Sequence, residues 1–402
     1  MPKEPLALKI TKDRENRRAK HTRLEVNRKR GDFPLKATNT SNTNDTEIFI
    51  ATKHIDRTIF NQHTLLIKPK TLREIIGNPT YHQKVKDAIR NALASTGKGA
   101  LNMIYPLLLY QKVPNEEELQ PFPRPNEKII QKLFDLFDVE NVDVIANPVA
   151  LDDRYEMEWA TMGAEIFSNR KADFLNEYAL TGVIPNSVSA GTAQSMAAVY
   201  LRNGFESLTF DFASQRLREG RMRDIIDGIP DWNKLLVIGT NVPYFNWHGT
   251  FRNPIMPMYD LLVSVYGFDS FSGISVGYGG EPDGPEKIAG KMTRKRYCLA
   301  DTYGAYTKAG LITINESMKV RCNCPICRSL SSPVHLYERD ATQSNLTSLT
   351  EDLKIHRLHV THHEIGGAFS LIDKGKYHDY LLAKKAASNE LQSILSALGT
   401  ST

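Results

Sequence analysis

The chain has 402 residues, a length that supports one large domain or two to three ordinary ones. Hydrophobic residues make up 41% and charged residues 24% of it, which excludes a disordered or fibrous protein. No apolar run approaches the roughly 18 to 20 residues that cross a bilayer, and the first residues lack the apolar core of a secretion signal. We therefore expect a cytoplasmic protein with no membrane partner.

The positive charge is concentrated at the start of the chain. Residues 1–36 contain twelve Lys or Arg against five Asp or Glu, whereas the whole chain has a net charge of +5. A basic segment of this kind can neutralise phosphates of a nucleic acid, and it is equally typical of a solvated terminus. The polar stretch Thr38–Thr46 has no apolar residue to hold it in a fold, so we predict a linker there. Residues 1–46 are thus predicted to be a basic arm and linker.

From residue 47 to residue 315, short apolar runs rich in β-forming residues alternate with amphipathic segments. The predicted strands are Glu47–Ala51, His63–Ile67, Ala100–Tyr110, Val142–Val149, Glu206–Ala213, Lys234–Asn241, Phe271–Tyr278 and Arg296–Tyr303. Several runs are continuously apolar, as parallel strands covered on both faces are. Between them, segments such as Glu127–Phe137 repeat apolar residues at helical spacing. The pattern predicts an α/β fold with a (β/α)8 TIM-type barrel as the catalytic domain, in which the first two strands, too close for an intervening helix, either take part or form a hairpin outside it.

Three of the four cysteines form the tight pattern Cys322, Cys324 and Cys327. This C-x-C-x-x-C spacing lets one turn direct three thiolates at a tetrahedral zinc ion, which then needs a fourth ligand. The candidates on the predicted helix that follows are His356, His359, His362 and His363. Because all four positions would be filled by protein, the zinc is expected to be structural. We predict a zinc subdomain and C-terminal helices over residues 316–402.

A Cys3His site after a barrel, with an aspartate on a strand shortly before the cysteines, resembles the tRNA-guanine transglycosylase superfamily. The aspartate is Asp301, within Tyr297–Tyr306 (YCLADTYGAY). Two earlier stretches, Phe271–Gly280 and Val237–Thr240, look like glycine-bearing strands of the same family. The resemblance extends from about residue 206 to residue 371, and it implies that His356 is the fourth zinc ligand.

Two features of that family are missing. Its early Asp-Ser-Gly-Gly-Phe-Gln signature is absent, and the short loop between Asp301 and Cys322 lacks the Pro-Thr-Arg segment of bacterial members. Both differences point away from an ordinary tRNA substrate. The chain is most similar to the DNA 7-deazaguanine transglycosylases, which implies exchange of guanine in DNA for free 7-cyano-7-deazaguanine. Helper proteins of a DNA-modification system are further partners to expect.

The resemblance implies that Asp301 is the nucleophile, since a covalent sugar intermediate gives two inversions and net retention. A second titratable group must protonate the leaving base, and the candidates are Asp143 and Asp211, because each interrupts an apolar run. We predict that the base is contacted from the ends of predicted strands by Asn147, Gly239, Thr240 and Asn241.

Two other functions stay open. A tRNA-guanine transglycosylase of the same superfamily would place the new base in tRNA instead of DNA. A non-catalytic, zinc-stabilised nucleic-acid-binding protein would keep the metal site, but it would not bring Asp301 and a second carboxylate together across a pocket.

Overall fold

The chain forms an α/β fold around one curled parallel sheet, a half-barrel with helices packed against it. The computed structural model describes residues 9–12, 20–26, 29–33, 35–39, 59–94, 96, 99–109, 121–151, 154–170, 178–213, 219–243, 253–272, 284–318, 320, 322–384, 386, 389, 392, 394 and 396.

The strands within these residues fall into three sheets. They are β1 (Lys9–Lys12), β2 (Lys20–Val26), β3 (Lys29–Phe33), β4 (Leu35–Lys36), β5 (Thr38–Asn39), β6 (Phe60–Ile67), β7 (Leu101–Leu109), β8 (Val144–Ala146), β9 (Val149–Leu151), β10 (Ala179–Pro185), β11 (Ser207–Asp211), β12 (Leu236–Thr240), β13 (Ile255–Pro257), β14 (Ser270–Phe271), β15 (Tyr297–Leu299) and β16 (Gly304–Tyr306).

The helices mostly follow the strands of the large sheet in alternation. They are α1 (Pro69–Gly77), α2 (Pro79–Ala94), α3 (Glu127–Phe137), α4 (Glu156–Arg170), α5 (Ala190–Arg202), α6 (Glu219–Asp227), α7 (Tyr259–Leu262), α8 (Pro285–Arg294), α9 (Lys308–Met318), α10 (Gln343–Asp373) and α11 (Tyr377–Leu382). Short 3-10 helices lie at Trp232–Lys234, Val263–Tyr266 and Pro333–Tyr337.

The central sheet has the strand order β4-β14-β12-β11-β10-β8-β7-β6-β5, with β9 also paired to β7. Its strand pairs are parallel throughout. The predicted strands around residues 63–67, 100–110, 142–149, 206–213 and 234–241 are confirmed in it. The predicted strand Glu47–Ala51 and most of Phe271–Tyr278 lie outside the described residues.

The two outermost strands of the central sheet are neighbours in the chain, separated by Ala37. Leu35 in β4 pairs with Ser270 in β14, while Thr38 in β5 pairs with Asn61 in β6. The Ala37 amide also donates to the carbonyl oxygen of Phe271 at 2.8 Å. One short segment therefore pairs with both edges of the sheet, although its last two residues, Thr38 and Asn39, had been predicted to belong to a linker.

Helix α3 shows why the amphipathic segments cover this sheet. It begins at the cap Asn126, whose side chain accepts a hydrogen bond from the Ile129 amide. Its apolar side chains recur at helical spacing and are buried, as predicted from the sequence. A large hydrophobic core joins these helices to both faces of the strands.

Strand β10 was not predicted, because glycine and proline interrupt its short apolar run. The structure supplies the reason for the glycine: a Cβ atom on Gly182 would lie 2.2 Å from the Tyr200 ring. The ring of Tyr200 thus packs directly on the strand backbone, and its hydroxyl donates to the Val183 carbonyl oxygen at 2.9 Å. Gly182 thus permits close packing of the helix on the strand, and the same glycine weakened the strand pattern in the sequence.

The predicted basic arm folds, in its described residues, into an antiparallel sheet of β1, β2 and β3. Leu24 and Phe33 are buried, and the Phe33 ring packs edge-on against Phe60 at 5.6 Å between centroids. A Cβ atom on Gly31 would lie 2.6 Å from the Leu101 side chain. Since Phe60 and Leu101 begin β6 and β7, this small sheet covers the amino-terminal end of the central sheet.

Two lysines of this N-terminal sheet neutralise buried carboxylates at the same end. The Lys20 ammonium lies 2.9 Å from Asp269, which directly precedes β14. The Lys29 ammonium lies 2.7 Å from Asp143, which directly precedes β8. Of the two readings that the sequence left open for residues 1–36, a phosphate-binding arm and a solvated terminus, neither describes Lys20 and Lys29, because folding pairs both with protein carboxylates.

The third sheet is antiparallel and has the order β13-β16-β15. It corrects the prediction that Arg296–Tyr303 is a barrel strand, since Tyr297–Leu299 instead forms a hairpin with Gly304–Tyr306. A second hydrophobic core surrounds this hairpin and includes side chains from Ile288 to Leu353. It therefore begins before the predicted domain boundary at residue 316.

Candidate metal centre and carboxylate site

Four side chains predicted as metal ligands converge in the structure. Cys322, Cys324, Cys327 and His356 place their ligand atoms within 4.8 Å of one another. The His356 Nδ1 atom lies 3.5, 3.4 and 3.6 Å from the three sulfur atoms in chain order. These four residues are close enough to bind a metal ion, and among the histidines that sequence spacing left open, His356 is the one in the cluster.

Local backbone geometry explains how the cysteines come together. The amide of Cys324 donates to the Cys322 sulfur at 3.4 Å, and the amide of Cys327 donates to the Cys324 sulfur at 3.3 Å. Such N–H···S bonds stabilise the thiolate form, and the pKa of Cys322 is lowered by hydrogen bonds with the Cys324 and Cys327 thiols. The long helix α10 brings His356 onto this turn.

The distances fit a tetrahedral metal ion. Zinc with Zn–S bonds of about 2.3 Å and a Zn–N bond of about 2.0 Å separates sulfur from nitrogen by about 3.5 Å. The observed S···N separations agree with this value. Three sulfur atoms and one nitrogen are also the donor set that zinc prefers.

A further layer of contacts holds the ligands in place. The Nε2 atom of His356 lies 2.8 Å from the carbonyl oxygen of Cys298, and because a carbonyl only accepts, Nε2 carries the proton. Nδ1 is then left free to bind metal. Tyr297 stacks on the His356 ring at 3.9 Å and its hydroxyl lies 3.3 Å from the Cys327 sulfur. Burial and the neighbouring Cys327 and Cys322 sulfurs raise the pKa of Tyr297, so its hydroxyl stays a donor.

Asp301 lies in the turn between β15 and β16, and it is exposed. The expectation that it ends a strand of the barrel is therefore wrong, since its hairpin belongs to the antiparallel sheet. Burial and then Glu364 raise the pKa of Tyr380, and the negative charge of Asp301 adds to the rise. The turn is three residues beyond Cys298, whose carbonyl binds the candidate metal ligand.

Asp211 lies at the carboxyl end of β11, and the structure surrounds it with hydrogen-bond donors. The hydroxyl of Tyr105 donates to Oδ2, and the side-chain amide of Asn241 donates to the same oxygen at 2.9 Å. The amide of Ala213 donates to Oδ1 at 2.6 Å. Asp211 is almost fully buried, so these donors hold a carboxylate inside the fold that burial alone would disfavour.

Tyr105 is a residue of this cluster that the sequence did not single out. It lies inside β7, where it was predicted only as part of an apolar run. Burial and the charge of Asp211 raise the pKa of Tyr105 well above its usual value of 10, while a hydrogen bond with Thr240 opposes the rise. The signal available in the sequence was one hydroxyl in a mostly apolar strand, which has to find a polar partner when buried.

Backbone strain occurs at the same place. Asn241, which follows β12, has a φ of 51°, and Ala213, two residues after Asp211, has a φ of 48°. Residues other than glycine rarely adopt this left-handed region, and such strain concentrates at functional sites. Asp211, Thr240 and Asn241, three residues predicted for the site, are therefore brought together by adjacent strand ends.

Asp143, the other candidate acid or base, lies at the opposite end of the sheet. Its carboxylate pairs with Lys29 and accepts a hydrogen bond from the Asn102 amide at 2.8 Å. Parallel α/β sheets bind ligands outside the carboxyl ends of their strands. The contacts of Asp143 are those of a structural carboxylate, which leaves Asp211 as the candidate.

The side chain of Asn147 faces the helix layer, and the position of Gly239 is packed against side chains that follow β11 and β12. The Asn147 side-chain amide donates to the Ala160 carbonyl oxygen at 3.4 Å and to the Tyr200 hydroxyl at 3.2 Å. A Cβ atom on Gly239 would meet side chains of Val242 and Phe212 at 3.0 and 3.3 Å. Protein atoms fill the space that we had predicted for a base at these two positions.

No protein-family model and no curated protein matches this chain. Within the described residues, no helix is long and apolar enough to span a membrane.

Proposed function

We propose that this chain is a zinc-stabilised base-exchange enzyme that replaces guanine in DNA with a 7-deazaguanine base through a covalent aspartyl-sugar intermediate. The observation that carries the proposal is the contact between His356 and the Cys298 carbonyl oxygen. This contact connects the Cys3His cluster to the hairpin that carries Asp301. The resemblance to the transglycosylase superfamily implies the same combination of a Cys3His site with a preceding aspartate. The resemblance itself supplies the reaction.

We further propose that the curled sheet closes into a (β/α)8 barrel. The pairings of Leu35 with Ser270 and of Thr38 with Asn61 support this, because one segment contacts both edges of the sheet. Counting that segment as one strand, and β8 with β9 as another, gives eight parallel strands among the described residues. In such a barrel the carboxyl ends of the strands form the catalytic face, where Asp211 lies.

The ion in this proposal is a structural Zn2+, since the protein fills all four tetrahedral positions. Its function is to fix the turn at Cys322–Cys327 against helix α10 and, through His356, the start of the Asp301 hairpin. The buried aromatic and aliphatic side chains of the second hydrophobic core surround it, so binding the ion and folding that core are expected to be coupled.

In the proposed reaction, an Asp301 carboxylate oxygen attacks C1′ of the target nucleotide as the bond to the N9 atom of guanine breaks. Asp211 carries a proton at the start of the cycle, gives it to the departing base and returns to the carboxylate form that its three donors favour. N9 of the incoming base then attacks C1′, displaces Asp301 and loses its proton to Asp211. Two inversions restore the original configuration. Thr240 and Asn241 are the proposed base contacts beside Asp211.

The substrate is proposed to be DNA, and the target nucleotide has to leave the base stack before C1′ can be reached from this site. We place the reaction in the cytoplasm. A tRNA substrate is the alternative outcome of the test below.

The test is nucleoside mass spectrometry on DNA and tRNA from cells that express the chain and are supplied with 7-cyano-7-deazaguanine. We expect the modified base in DNA with the wild-type chain and its loss with Asp301→Asn. If the modified base is found in tRNA and not in DNA, the substrate is tRNA instead of DNA. With purified protein, labelled guanine exchange that persists in Asp301→Asn would remove Asp301 as the nucleophile, and modification of neither nucleic acid would overturn the proposal.

A further inference from the structure

A buried lysine holds the turn that carries Asp301. The Lys384 ammonium donates to the Ala300 carbonyl oxygen at 2.9 Å, immediately before Asp301 in the chain. Lys384 is 5% exposed, which is unusual for lysine and requires compensating partners. The amide of Ala386, two residues later, donates to the Thr302 carbonyl oxygen at 2.9 Å. The backbone on both sides of Asp301 is therefore bonded to the segment after α11.

The ammonium has a defined set of partners. Besides Ala300, it lies 2.9 Å from the Glu364 carboxylate and 2.8 Å from the Tyr380 hydroxyl. Three partners match the three N–H groups of a lysine. Its nitrogen also lies 4.1 Å from the centroid of the Tyr380 ring and 4.8 Å from that of Tyr303. The aromatic faces favour the cation electrostatically and confine it.

Glu364 explains why a charged group is stable there. It is 8% exposed, pairs with Lys384, and accepts a hydrogen bond from the Tyr380 hydroxyl. Glu364 lies on α10, the helix that also carries His356. The turn is thus attached to that helix twice: the His356 ring bonds Cys298 before Asp301, and the Lys384–Glu364 pair bonds Ala300.

We infer that Lys384 is a positioning residue that fixes the Ala300–Tyr303 turn and thereby the orientation of the Asp301 carboxylate. As a statement about catalysis this rests on the proposed function, but the fixing of the turn does not. The Ala300 carbonyl oxygen also accepts from the Tyr303 amide at 3.3 Å, so the turn has a backbone bond that reports on its stability.

The test compares Glu364→Gln with the double variant Lys384→Met/Glu364→Gln. The glutamine removes the buried negative charge, so that the second change does not leave an unpaired carboxylate that would prevent folding. Hydrogen exchange of residues 297–306 is measured by mass spectrometry. We expect the Tyr303 amide to exchange roughly tenfold faster in the double variant, the effect of losing one hydrogen bond to a charged group. Lys374→Met, an exposed lysine near the end of α10, serves as the control and should leave the exchange unchanged.

Base-exchange kinetics form the second part. The double variant should lower kcat by roughly tenfold or more relative to Glu364→Gln with KM within about twofold, because the nucleophile is misplaced by about an ångström while substrate contacts remain. The single variant Lys384→Arg should retain most of the wild-type kcat, since arginine keeps a hydrogen-bond donor and the positive charge. Equal hydrogen exchange in the two variants overturns the inference, whether or not the wild type is active. Faster exchange with an unchanged kcat would overturn the positioning role and leave the proposed function standing.

Discussion

The imidazole of His356 connects the metal cluster to the backbone of Cys298. Its Nδ1 atom faces the three sulfur atoms, and its Nε2 atom lies 2.8 Å from the Cys298 carbonyl oxygen. Metal-binding histidines are commonly oriented through their second nitrogen in this way. A change in the metal centre is therefore expected to reach the hairpin of Asp301 through one hydrogen bond.

Replacement of a metal ligand tests this connection. Cys324→Ser should reduce zinc to well below one equivalent per chain and lower the free energy of unfolding by about 4 kcal/mol or more, since losing a structural metal is among the most damaging changes. Metal analysis and urea unfolding measure the two effects. Cys298→Ala is the matched control, because the Cys298 side chain is buried but is not a ligand, and it should keep a full equivalent of zinc. Full zinc in Cys324→Ser would refute the site.

The ion pair of Lys29 and Asp143 gives a prediction for the N-terminal sheet. Lys29→Met should lower the free energy of unfolding by about 3 kcal/mol, because it removes the ammonium that pairs with the buried Asp143 carboxylate. The double variant Lys29→Met/Asp143→Asn should recover most of that loss, since asparagine still accepts from the Asn102 amide. Urea unfolding of the wild type, the single variant and the double variant measures the loss and its recovery. If Lys29→Met unfolds like the wild type and instead lowers the salt dependence of DNA binding, Lys29 serves as a phosphate contact, the first of the two alternatives that the sequence left open.

The carboxylate cluster at the opposite end of the sheet gives a prediction about activity. Asp211→Asn should slow base exchange by about 10² to 10⁴-fold, the usual contribution of a general acid or base. The fold should persist at some cost in stability: the single acceptor oxygen of asparagine can keep the bonds from Tyr105 and Asn241, but its NH2 group then faces the Ala213 amide. The double variant Lys29→Met/Asp143→Asn serves as the control and should exchange bases at nearly the wild-type rate. A loss of exchange in that control with full exchange in Asp211→Asn would reverse the two assignments.

The metal ligands were predictable because their signal is local. Three cysteines within one turn can meet at one ion whatever the rest of the chain does, so Cys322, Cys324 and Cys327 needed no knowledge of the fold. Strong local periodicity likewise predicted α3 and most strands of the central sheet. The choice of His356 is confirmed by the cluster, while the resemblance that suggested it stays a prediction.

The residues that the sequence did not place correctly have contact partners far away in the chain. Lys29 and Asp143 are 114 residues apart, and neither sequence neighbourhood identifies the other. The two observations were nevertheless complementary: Asp143 interrupts an apolar run and needs a cation, and the first residues supply cations in excess. The hairpin of Asp301 was misassigned for a related reason, because an apolar strand has the same pattern in a parallel barrel and in a small antiparallel sheet.

Histidine 63 gives a pH dependence whose sign follows from its burial. Burial lowers the pKa of His63 from 6.5 to about 4 in the folded chain. Between these values the unfolded chain takes up a proton that the folded chain refuses, so the free energy of unfolding falls as the pH drops from 6.5 to 4. The loss is at most about 3 kcal/mol, the equivalent of the shift. Urea unfolding at pH 7, 5.5 and 4.5 should show this loss in the wild type and a smaller one in His63→Leu, in which nothing titrates at this position. The exposed His335→Gln is the control and should retain the wild-type slope. If His63→Leu loses stability with acid as steeply as the wild type, the partly buried imidazole of β6 is not the group responsible.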